Sequence, residues 1–431
     1  MLRIIPREDH PISRKQISPN ALRVLYRLRD AGFQAFLVGG AVRDLLVGIQ
    51  PKDFDIATDA TPDQVRQLFR NCRLIGRRFR LAHIVYGPEI IEVATFRAAD
   101  AEEHEDRSVE AGRILRDNVW GTIEDDAVRR DFGANALYYS IEDFSVRDYV
   151  GGFEDIEKRQ LRLIGDAETR YREDPVRMLR AVRLNSKLGF HLHPDTEAPI
   201  EKLAPLVETA SNARLFDETL KMFMAGHGAA CFAELDRLKL VSALFPDLGK
   251  ALEVDVSGRC RRMIDAALAN TDKRVAEEMP VTPAYLYAVL LWPVYADGVN
   301  AMLSAGHPMA VAEQRSADRA ILRQCKRVAI PRRFTQAVEE IWMMQSRLNT
   351  RLRKKVLRIM AHPRFRAAYD FLELRAGQVP ELAEELSFWR EMQQGEPEAV
   401  LARHPATPGE RSGKPRRRRR KRGAPGADSG E

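Results

Sequence analysis

The stretch GGAVRDLLVGIQPKDFDIAT (residues 39–58) contains two aspartates, Asp53 and Asp55, in a segment that otherwise reads as a strand. Side chains two residues apart on a strand point to the same face, so both carboxylates lie side by side while Phe54 and Ile56 face the core. Neighbouring carboxylates repel each other unless a cation lies between them. Mg²⁺ is held by one or two carboxylates and fills its other positions with water and phosphate oxygens. The pattern therefore predicts a metal site at Asp53 and Asp55.

Two glycines, Gly39 and Gly40, follow an apolar run and directly precede AVRDLL, which reads as a helix. Glycines allow the close backbone approach that a triphosphate needs, and the N-terminus of a helix favours its charge. Arg43, one turn into that helix, adds a forked donor for phosphate. Each feature alone is more often a tight turn, a solvated charge or a solvated strand end. Together, at this spacing, they predict a site for phosphate and metal.

Length and composition limit what the rest of the chain can be. At 431 residues the chain exceeds one ordinary core, so two to four domains are expected. Its four cysteines form no CxxC pair, which argues against a zinc site or a disulfide framework and favours a reducing, cytoplasmic location. The longest apolar run, residues 284–296, is shorter than the roughly 20 residues that span a bilayer, so no membrane contact is expected.

The net charge of +7 is concentrated at one end of the chain. The excess of basic over acidic residues within 411–431 accounts for all of it, so residues 1–410 carry no formal net charge. The segment KPRRRRRKR in this tail cannot bury a core and is predicted to be unstructured. An arginine run of this kind binds nucleic acid by neutralising phosphates, although such runs also serve as solubilising tails.

Strand and helix patterns separate a mixed α/β part from a helical part. A Ser-Pro pair at residues 18–19 predicts the start of a first helix after an irregular segment, residues 1–17. Residues 98–118 show no clear period and predict a loop, and helical character returns over residues 125–139. From residue 173 to about 395 we predict helices and no strand. Strands are predicted at FQAFLVGG, DFDIAT, CRLIG, LAHIVYG, IIEVATFRA, FSVRDYVGG and QLRLIG.

A second motif, EDDAVRRDFGANALYY (residues 124–139), carries polar side chains at helical spacing. Asp131 and Asn135 are four residues apart and would share a helical face, with Arg129 and Arg130 beside them. Such a group could hold ribose and triphosphate. An exposed polar face explains the same pattern about equally well.

A third motif, REDPVRMLRAVR (residues 172–183), predicts a helix that begins at Pro175. Glu173 and Asp174 would then lie at its N-terminal turn, where acids are favoured, with Arg177 one turn further on. Taken alone, these residues indicate a capped helix with charge pairs.

The three motifs, in this order and spacing, resemble the signature of the nucleotidyltransferase superfamily, in particular the branch shared by bacterial poly(A) polymerases and tRNA CCA-adding enzymes. The resemblance covers about residues 30–190. It implies that Asp174 and Arg177 hydrogen-bond the edge of the incoming base without a template, and that Arg180 assists at the triphosphate. Where relatives usually have Thr-Ile after RRDF, this chain has Gly133-Ala134.

The residues leave open which carboxylate joins the aspartate pair. Glu92 lies on IIEVATF, a strand that could neighbour DFDIAT, and the superfamily pattern favours such a strand acid. The resemblance to the bacterial poly(A) branch favours Asp131 instead, which we expect to be a site residue.

Other segments resemble poly(A) polymerases more than CCA-adding enzymes. LIGRRFRLAHI (residues 74–84) carries Arg77, Arg78 and Arg80, which would meet phosphate of ATP or of the primer. The resemblance implies a Mg²⁺-dependent, template-independent enzyme that adds AMP from ATP to RNA 3′ ends and works with RNA-decay proteins. The alternatives are a tRNA CCA-adding enzyme and, from another class, a non-catalytic RNA-binding adaptor.

The expected fold class is α+β, a small mixed-sheet nucleotidyltransferase head followed by an elongated all-helical neck and body. The chain is divided accordingly into an N-terminal segment and helix (1–32), the catalytic head (33–155), a helical neck with base and RNA contacts (156–225), a helical body (226–400) and a disordered Arg-rich tail (401–431).

Overall fold

The computed structural model describes residues 2–76, 80–98 and 119–405, and the backbone of residues 107–110 and 113–117. The described chain forms two compact units. The first comprises the residues up to Val254 together with Leu268–Val281 and Leu322–Ile330, and the second comprises Asp255–Ala267, Thr282–Ile321 and the described residues from Pro331 onward. The five-segment division proposed from the sequence remains a prediction.

The first unit contains an eight-stranded mixed sheet of order β1-β10-β9-β2-β3-β6-β5-β4, in which only β3 and β6 run parallel. Two further pairs, β7 with β8 and β11 with β12, lie outside it. The strands are β1 (Arg3–Ile5), β2 (Ala35–Val38), β3 (Asp55–Thr58), β4 (Cys72–Ile75), β5 (Leu81–Tyr86), β6 (Glu89–Thr95), β7 (Arg107–Glu110), β8 (Arg113–Asp117), β9 (Leu137–Ser140), β10 (Val146–Asp148), β11 (Gln160–Leu161) and β12 (His191–Leu192).

Helices flank the sheet and make up most of the chain after it. They are α1 (Pro19–Asp30), α2 (Gly40–Leu46), α3 (Pro62–Leu68), α4 (Ile123–Arg129), α5 (Gly152–Glu157), α6 (Ala167–Glu173), α7 (Val176–Leu188), α8 (Pro194–Glu197), α9 (Ile200–Leu203), α10 (Asn212–Phe223), α11 (Gly228–Arg237), α12 (Leu240–Leu244), α13 (Pro246–Glu253), α14 (Arg259–Ala276), α15 (Pro283–Leu290), α16 (Trp292–Ser304), α17 (Met309–Cys325), α18 (Arg332–Arg347), α19 (Arg353–Met360), α20 (Phe365–Ala376), α21 (Ala383–Gln394) and α22 (Pro397–Arg403).

Strand register fixes which side chains share a face of the sheet. Val38 pairs with Tyr138 on one side and with Asp55 on the other, and Asp55 pairs with Glu92. Directly paired residues point to the same face. A single row of side chains therefore runs across four strands, and the carboxylates of Asp55 and Glu92 are neighbours in it.

The predicted α+β class and the seven predicted strands are confirmed. Two segments differ from expectation. Residues 1–17 are not wholly irregular, because β1 pairs with β10 at the edge of the sheet. Within residues 98–118, β7 and β8 form an antiparallel pair in place of part of the predicted loop, and the remainder of that loop lies outside the described residues.

The second motif does not form one helix from 125 to 139. Helix α4 ends at Arg129, a short 3-10 helix spans Gly133–Asn135, and β9 follows. Gly133 therefore lies in the 3-10 helix, and not inside the α-helix that the sequence predicted over residues 125–139. Its backbone lies against Gly152 at the start of α5, and a Cβ at position 133 would lie 2.6 Å from Asp155 Oδ2. Glycine is required there by close packing.

The helical part agrees with the sequence in its main elements. Helices α18 and α20 lie within the region predicted to be helical, and Phe365 and Tyr369 are buried core residues. The two-residue strand β12, which pairs with β11, was not predicted. Glu173 and Asp174 do not open α7, since Glu173 is the last residue of α6 and Asp174 its C-cap.

In the part of the chain that the structure describes, no single helix has the length and apolar character to cross a membrane. Helices α15 and α16 meet those criteria only when taken as a pair, and they are bent by 51° at the break between them.

Gly152 has no room for a side chain, since an added Cβ would lie 2.0 Å from the carbonyl oxygen of Gly133. We expect Gly152→Ala to lower the free energy of unfolding by about 2–3 kcal/mol through overpacking, measured by urea denaturation. Gly32→Ala is the control, because its Cβ would meet nothing within 4 Å and only its left-handed backbone (φ +87°) costs energy, about 1 kcal/mol. Equal losses in the two variants would contradict the packing argument.

Candidate active site

Asp55 opens β3 at the point where the strand leaves the loop from α2. Its neighbours Phe54 and Ile56 are buried, as the alternation predicted, and Asp53 just before the strand is exposed. Burial, the largest cause, and the nearby charges of Glu92 and Asp53 raise the pKa of Asp55 from 3.8 to about 6, while Arg130 opposes the shift. Three carboxylates thus converge on one end of β3 with a deficit of positive charge.

Arg130 is the cation beside these acids. Its Nε and Nη2 donate to Asp126 Oδ2 at 3.2 and 2.9 Å, and its Nε lies 3.0 Å from the Tyr138 hydroxyl. That hydroxyl in turn donates to Asp126 Oδ2 at 2.7 Å. Burial acts to lower the pKa of Arg130, but Tyr138 and Asp126 outweigh it and raise the pKa, so the guanidinium stays charged.

The glycine pair leaves space between Arg130 and the acids. Gly39 has a φ of +74°, and a Cβ on it would lie 3.6 Å from Arg130 Nη1 and 3.9 Å from Asp55 Oδ2. Arg130 Nη1 donates to no other group among residues 2–76, 80–98 and 119–405. Gly39 thus lies between an available cationic donor and an acid.

Arg43 is buried and its donors are occupied. Its Nε donates to Asp44 Oδ1 at 2.8 Å, and its Nη1 donates to Asn135 Oδ1. The other oxygen of Asp44 accepts a bond from Lys187 on α7 at 2.9 Å. Arg43 therefore joins α2 to the second motif and does not present an unoccupied guanidinium to a ligand beside Gly39.

Asp131 lies in a partly buried ion pair. Arg180 on α7 donates through Nε to Asp131 Oδ2 at 2.8 Å, and Asn135 Nδ2 donates to Oδ1 at 3.3 Å. Burial acts to raise the pKa of Asp131, but the charge and hydrogen bonds of Arg180 outweigh it and hold that pKa below its usual value. Asp131 is thus neutralised by protein groups and is not one of the acids in the row with Asp55.

The third motif forms its own charge cluster. Arg214 on α10 donates to both oxygens of Asp174, at 3.1 and 2.8 Å. Arg177 Nη1 donates to Glu173 Oε2 at 2.9 Å and to the Arg170 carbonyl at 2.7 Å. Arg214 thus fixes the carboxylate of Asp174, and Glu173 fixes the guanidinium of Arg177.

Several predicted residues converge and others lie in supporting positions. The backbone of Gly39 lies next to the side chains of Asp55 and Arg130, and Asp53 lies two residues before Asp55. Arg43, Asn135, Asp131 and Arg180 form a connected buried network behind them. Arg129 donates to the carbonyl oxygen of Ala98 at 2.6 Å.

Sequence reasoning missed three neighbours of the acids. His83 Nε2 lies 3.3 Å from Glu92 Oε1, and Asp126 and Tyr138 fix Arg130. Strand pairing of β5 with β6 and of β2 with β9 brings His83 and Tyr138 to the site, and motif spacing carries no signal for either. Asp126 lies four residues before Arg130 within the second motif, so helical spacing could have indicated that pair. Arg77 and Arg78 lie outside the described residues, while Arg80 Nη1 lies 3.6 Å from Asp63 Oδ2.

The acids suit Mg²⁺, which needs only one or two carboxylates when water and phosphate supply the remaining oxygens. Among the described side chains, no group of three or more His, Cys, Asp or Glu residues forms a self-sufficient metal cage. Burial and the nearby charges of Glu92 and Asp53 all disfavour the ionised form of Asp55, and a divalent cation beside it would favour that form.

Comparisons with known proteins agree with this geometry. Residues 35–162 match the poly(A) polymerase head domain, residues 189–252 the probable RNA and SrmB-binding site of polymerase A, and residues 305–423 the polymerase A arginine-rich C-terminus. The chain is 50% identical to poly(A) polymerase I of Salmonella typhimurium over 402 residues, which cover 91% of this chain and 86% of that protein. The chain belongs to the poly(A) polymerase family.

CCA-adding enzymes are more distant from this poly(A) polymerase family member. The CCA-adding enzyme of Geobacillus thermodenitrificans is 41% identical over 211 residues, which cover 49% of this chain and 50% of that protein. The crystal structure of the Bacillus stearothermophilus CCA-adding enzyme in complex with CTP matches with a TM-score of 0.60 and 26% identity, covering 88% of this chain and 83% of that one. The family predicted from the three motifs is confirmed.

The raised pKa of Asp55 predicts a pH-dependent cost to folding in the absence of metal. The folded state binds the Asp55 proton more tightly than the unfolded state, so ionisation between about pH 4 and pH 6 lowers stability. We expect Asp55→Asn to raise the free energy of unfolding by about 1–2 kcal/mol at pH 8 and to change it little at pH 4, measured by urea denaturation in EDTA. The exposed neighbour provides the control, since Asp53→Asn should gain less at pH 8. A gain of equal size at both pH values would contradict this assignment.

Proposed function

We propose that the protein is a template-independent poly(A) polymerase that transfers AMP from ATP to the 3′ hydroxyl of RNA. The observation that carries this proposal is the pairing of Asp55 with Glu92 on parallel strands, beside Gly39 and the free Nη1 of Arg130. Acids that need a cation, next to a donor for phosphate, suit phosphoryl transfer. We assign the activity to cytoplasmic RNA processing and decay, with RNA 3′ ends, ATP and RNA-decay proteins as partners.

In the proposed reaction, the RNA 3′ oxygen attacks the α-phosphorus of ATP in line. The bond from that phosphorus to the bridging oxygen of the β-phosphate breaks, and pyrophosphate leaves. Mg²⁺ held by Asp53 and Asp55 would lower the pKa of the 3′ hydroxyl and neutralise charge at the reacting phosphate.

The protein groups around the acids orient the triphosphate. The absence of a side chain at Gly39 lets phosphate approach the backbone, and Arg130 Nη1 donates to it from a guanidinium already fixed by Asp126 and Tyr138. Since these partners hold the arginine before substrate arrives, little ordering is left for the binding step. Arg43 acts indirectly, by holding Asn135 against α2.

We propose Glu92 as the third carboxylate and Asp131 as a positioning residue. Glu92 shares the row of Asp55 and its side chain is 46% exposed, which leaves it accessible to metal and substrate. Asp131 is bound to Arg180 and has no such access. The Asp131–Arg180 pair instead fixes α7 against the end of the second motif.

Two isosteric substitutions separate these roles. We expect Glu92→Gln to reduce the AMP incorporation rate by roughly 10²-fold or more without lowering stability, because the substitution removes a repulsive neighbour of Asp55. Asp131→Asn should lower the free energy of unfolding by about 1–2 kcal/mol, because it removes the shorter ion pair of Arg180 and leaves the 4.0 Å contact with Glu218. Parallel rate and denaturation measurements on both variants test the assignment, and full activity in Glu92→Gln would refute it.

Asp174 and Arg177 are proposed to read the base of the incoming nucleotide. Arg214 holds both oxygens of Asp174, and Glu173 holds Arg177, so each reading group is fixed before the base arrives. The remaining donors of Arg177 and the remaining lone pairs of Asp174 are available for hydrogen bonds to a base edge. Fixed donors and acceptors discriminate because a wrong base leaves them unpaired.

Incubation with Mg²⁺, a generic RNA oligomer and each NTP separately tests the proposed activity. We expect long tails with ATP and little extension with CTP, GTP or UTP, followed on a denaturing gel. Asp55→Ala should reduce the rate by roughly 10³-fold or more, as expected for loss of a group that stabilises the transition state. Addition confined to tRNA ends and dependent on CTP would indicate a CCA-adding enzyme instead. RNA-dependent function that survives Asp55→Ala would indicate a non-catalytic adaptor.

A further inference from the structure

A second cationic cavity lies in the first unit. It has a volume of about 660 Å³ and lies between the N-terminal segment, α1 and β9. Arg7, Arg14 and Lys15 supply three positive charges to its lining, and Tyr26, Tyr139 and Phe144 supply aromatic groups. No carboxylate is among the lining residues. A cavity of this size lined by cations and aromatic rings suits a small anionic ligand with an apolar part.

The cavity lies on the opposite face of the sheet from the catalytic acids. Tyr138 shares the row of Asp55 through their common partner Val38. Tyr139 follows Tyr138 on the same strand and therefore points to the other face. Ligands of this cavity would bind separately from ATP at Asp55, and the inference drawn from it does not depend on the proposed reaction.

The polar groups in the cavity include unsatisfied donors. Tyr139 is only 1% exposed and lines the cavity, and its hydroxyl has no hydrogen-bond partner in the described part of the chain. Burial raises the pKa of Tyr139, so the phenol stays protonated and can donate. The Lys15 ammonium likewise forms no ion pair or hydrogen bond with a described residue. Both donors can therefore bind an acceptor in the cavity.

The walls of the cavity are held by specific contacts. Arg14 donates to the Tyr26 hydroxyl at 2.9 Å, and its guanidinium lies 4.5 Å from the ring centroid of Phe144. Phe144 has a φ of +58°, unusual for a side chain of its size, and its carbonyl oxygen lies 3.0 Å from His10 Nε2. Arg7 Nη1 donates to the His10 carbonyl oxygen at 2.9 Å. Arg7 and Arg14 are thus held by protein contacts before any ligand binds, while Lys15 is exposed.

We propose that this cavity is a binding site for a nucleoside phosphate. The phosphate is held by Arg14, Lys15 and the Tyr139 hydroxyl, and the nucleoside lies against the apolar side of the cavity formed by Ile17 and Leu22. The phosphate group comes from a free nucleotide or from the 5′ end of an RNA, two sources that share this chemistry. Charge complementarity supports the choice, since three cations and no lining carboxylate select a multiply charged oxyanion.

Isothermal titration of the full chain with AMP, in EDTA, tests the site without metal at the catalytic acids. We expect one site that persists in Asp55→Ala, weakens at least tenfold in Lys15→Ala and weakens severalfold in Tyr139→Phe. Lys158→Ala is the matched control, because Lys158 is an exposed lysine paired with Glu154. The AMP affinity of this variant should equal that of the unaltered protein. Lys15 is exposed and without a partner, so Lys15→Ala should keep the unaltered melting temperature.

The two phosphate sources are separated by RNA oligomers with a 5′ phosphate or a 5′ hydroxyl, compared by fluorescence anisotropy. Tighter binding of the phosphorylated oligomer that disappears in Lys15→Ala identifies an RNA end. AMP binding that depends on Lys15, without such a preference, identifies a free nucleotide. Equal AMP affinity in Lys15→Ala and the unaltered protein, or loss of AMP binding in Asp55→Ala, would overturn the proposal.

Discussion

The repulsion between Asp55 and Glu92 is the constraint on which this end of the sheet depends. Parallel pairing of β3 and β6 places the two side chains on one face, and only a shift in strand register would move one of them to the other face. Arg130 offsets part of the charge, and its own position depends on Asp126 and Tyr138. The protein leaves the remaining negative charge uncompensated, which makes affinity for a divalent cation a property of the fold.

The helix after the sheet is tied to this end by ion pairs. Arg180 binds Asp131, and Lys187 binds Asp44, which also holds Arg43. Each pair leaves no buried charge without a partner, as the low dielectric of the interior requires. Residues that motif patterns assign to the substrate therefore include some whose task is to hold α7 against the sheet. Aspartate and arginine serve both substrate binding and helix packing, and only the partners of each side chain show which role it has.

Local patterns predicted much of the fold because alternation and capping act over a few residues. The strands around Asp55 and the start of α1 at Pro19 follow from such signals. The edge strand β1 could not be predicted, because its pairing with β10 joins segments far apart in the chain. The helix expected through residue 139 fails because β9 is buried in the centre of the sheet, where pairing overrides helical periodicity. The sequence placed Asp131 ahead of Glu92 as a site residue, because motif spacing does not show the partners of either acid, which come from distant segments.

The parallel connection between β3 and β6 also bears on how the protein folds. Between the two strands the chain forms α3, β4 and β5, so Asp55 and Glu92 meet only after that whole excursion has closed. Loop-closure entropy makes such non-local pairings slow relative to helices and hairpins. Hydrophobic pairs in the same ladder, Ile56 with Val93 and Ala57 with Ala94, must therefore draw the acids together. In this head Asp55 and Glu92 come together only through this non-local pairing, and the apolar contacts of the same ladder offset their repulsion.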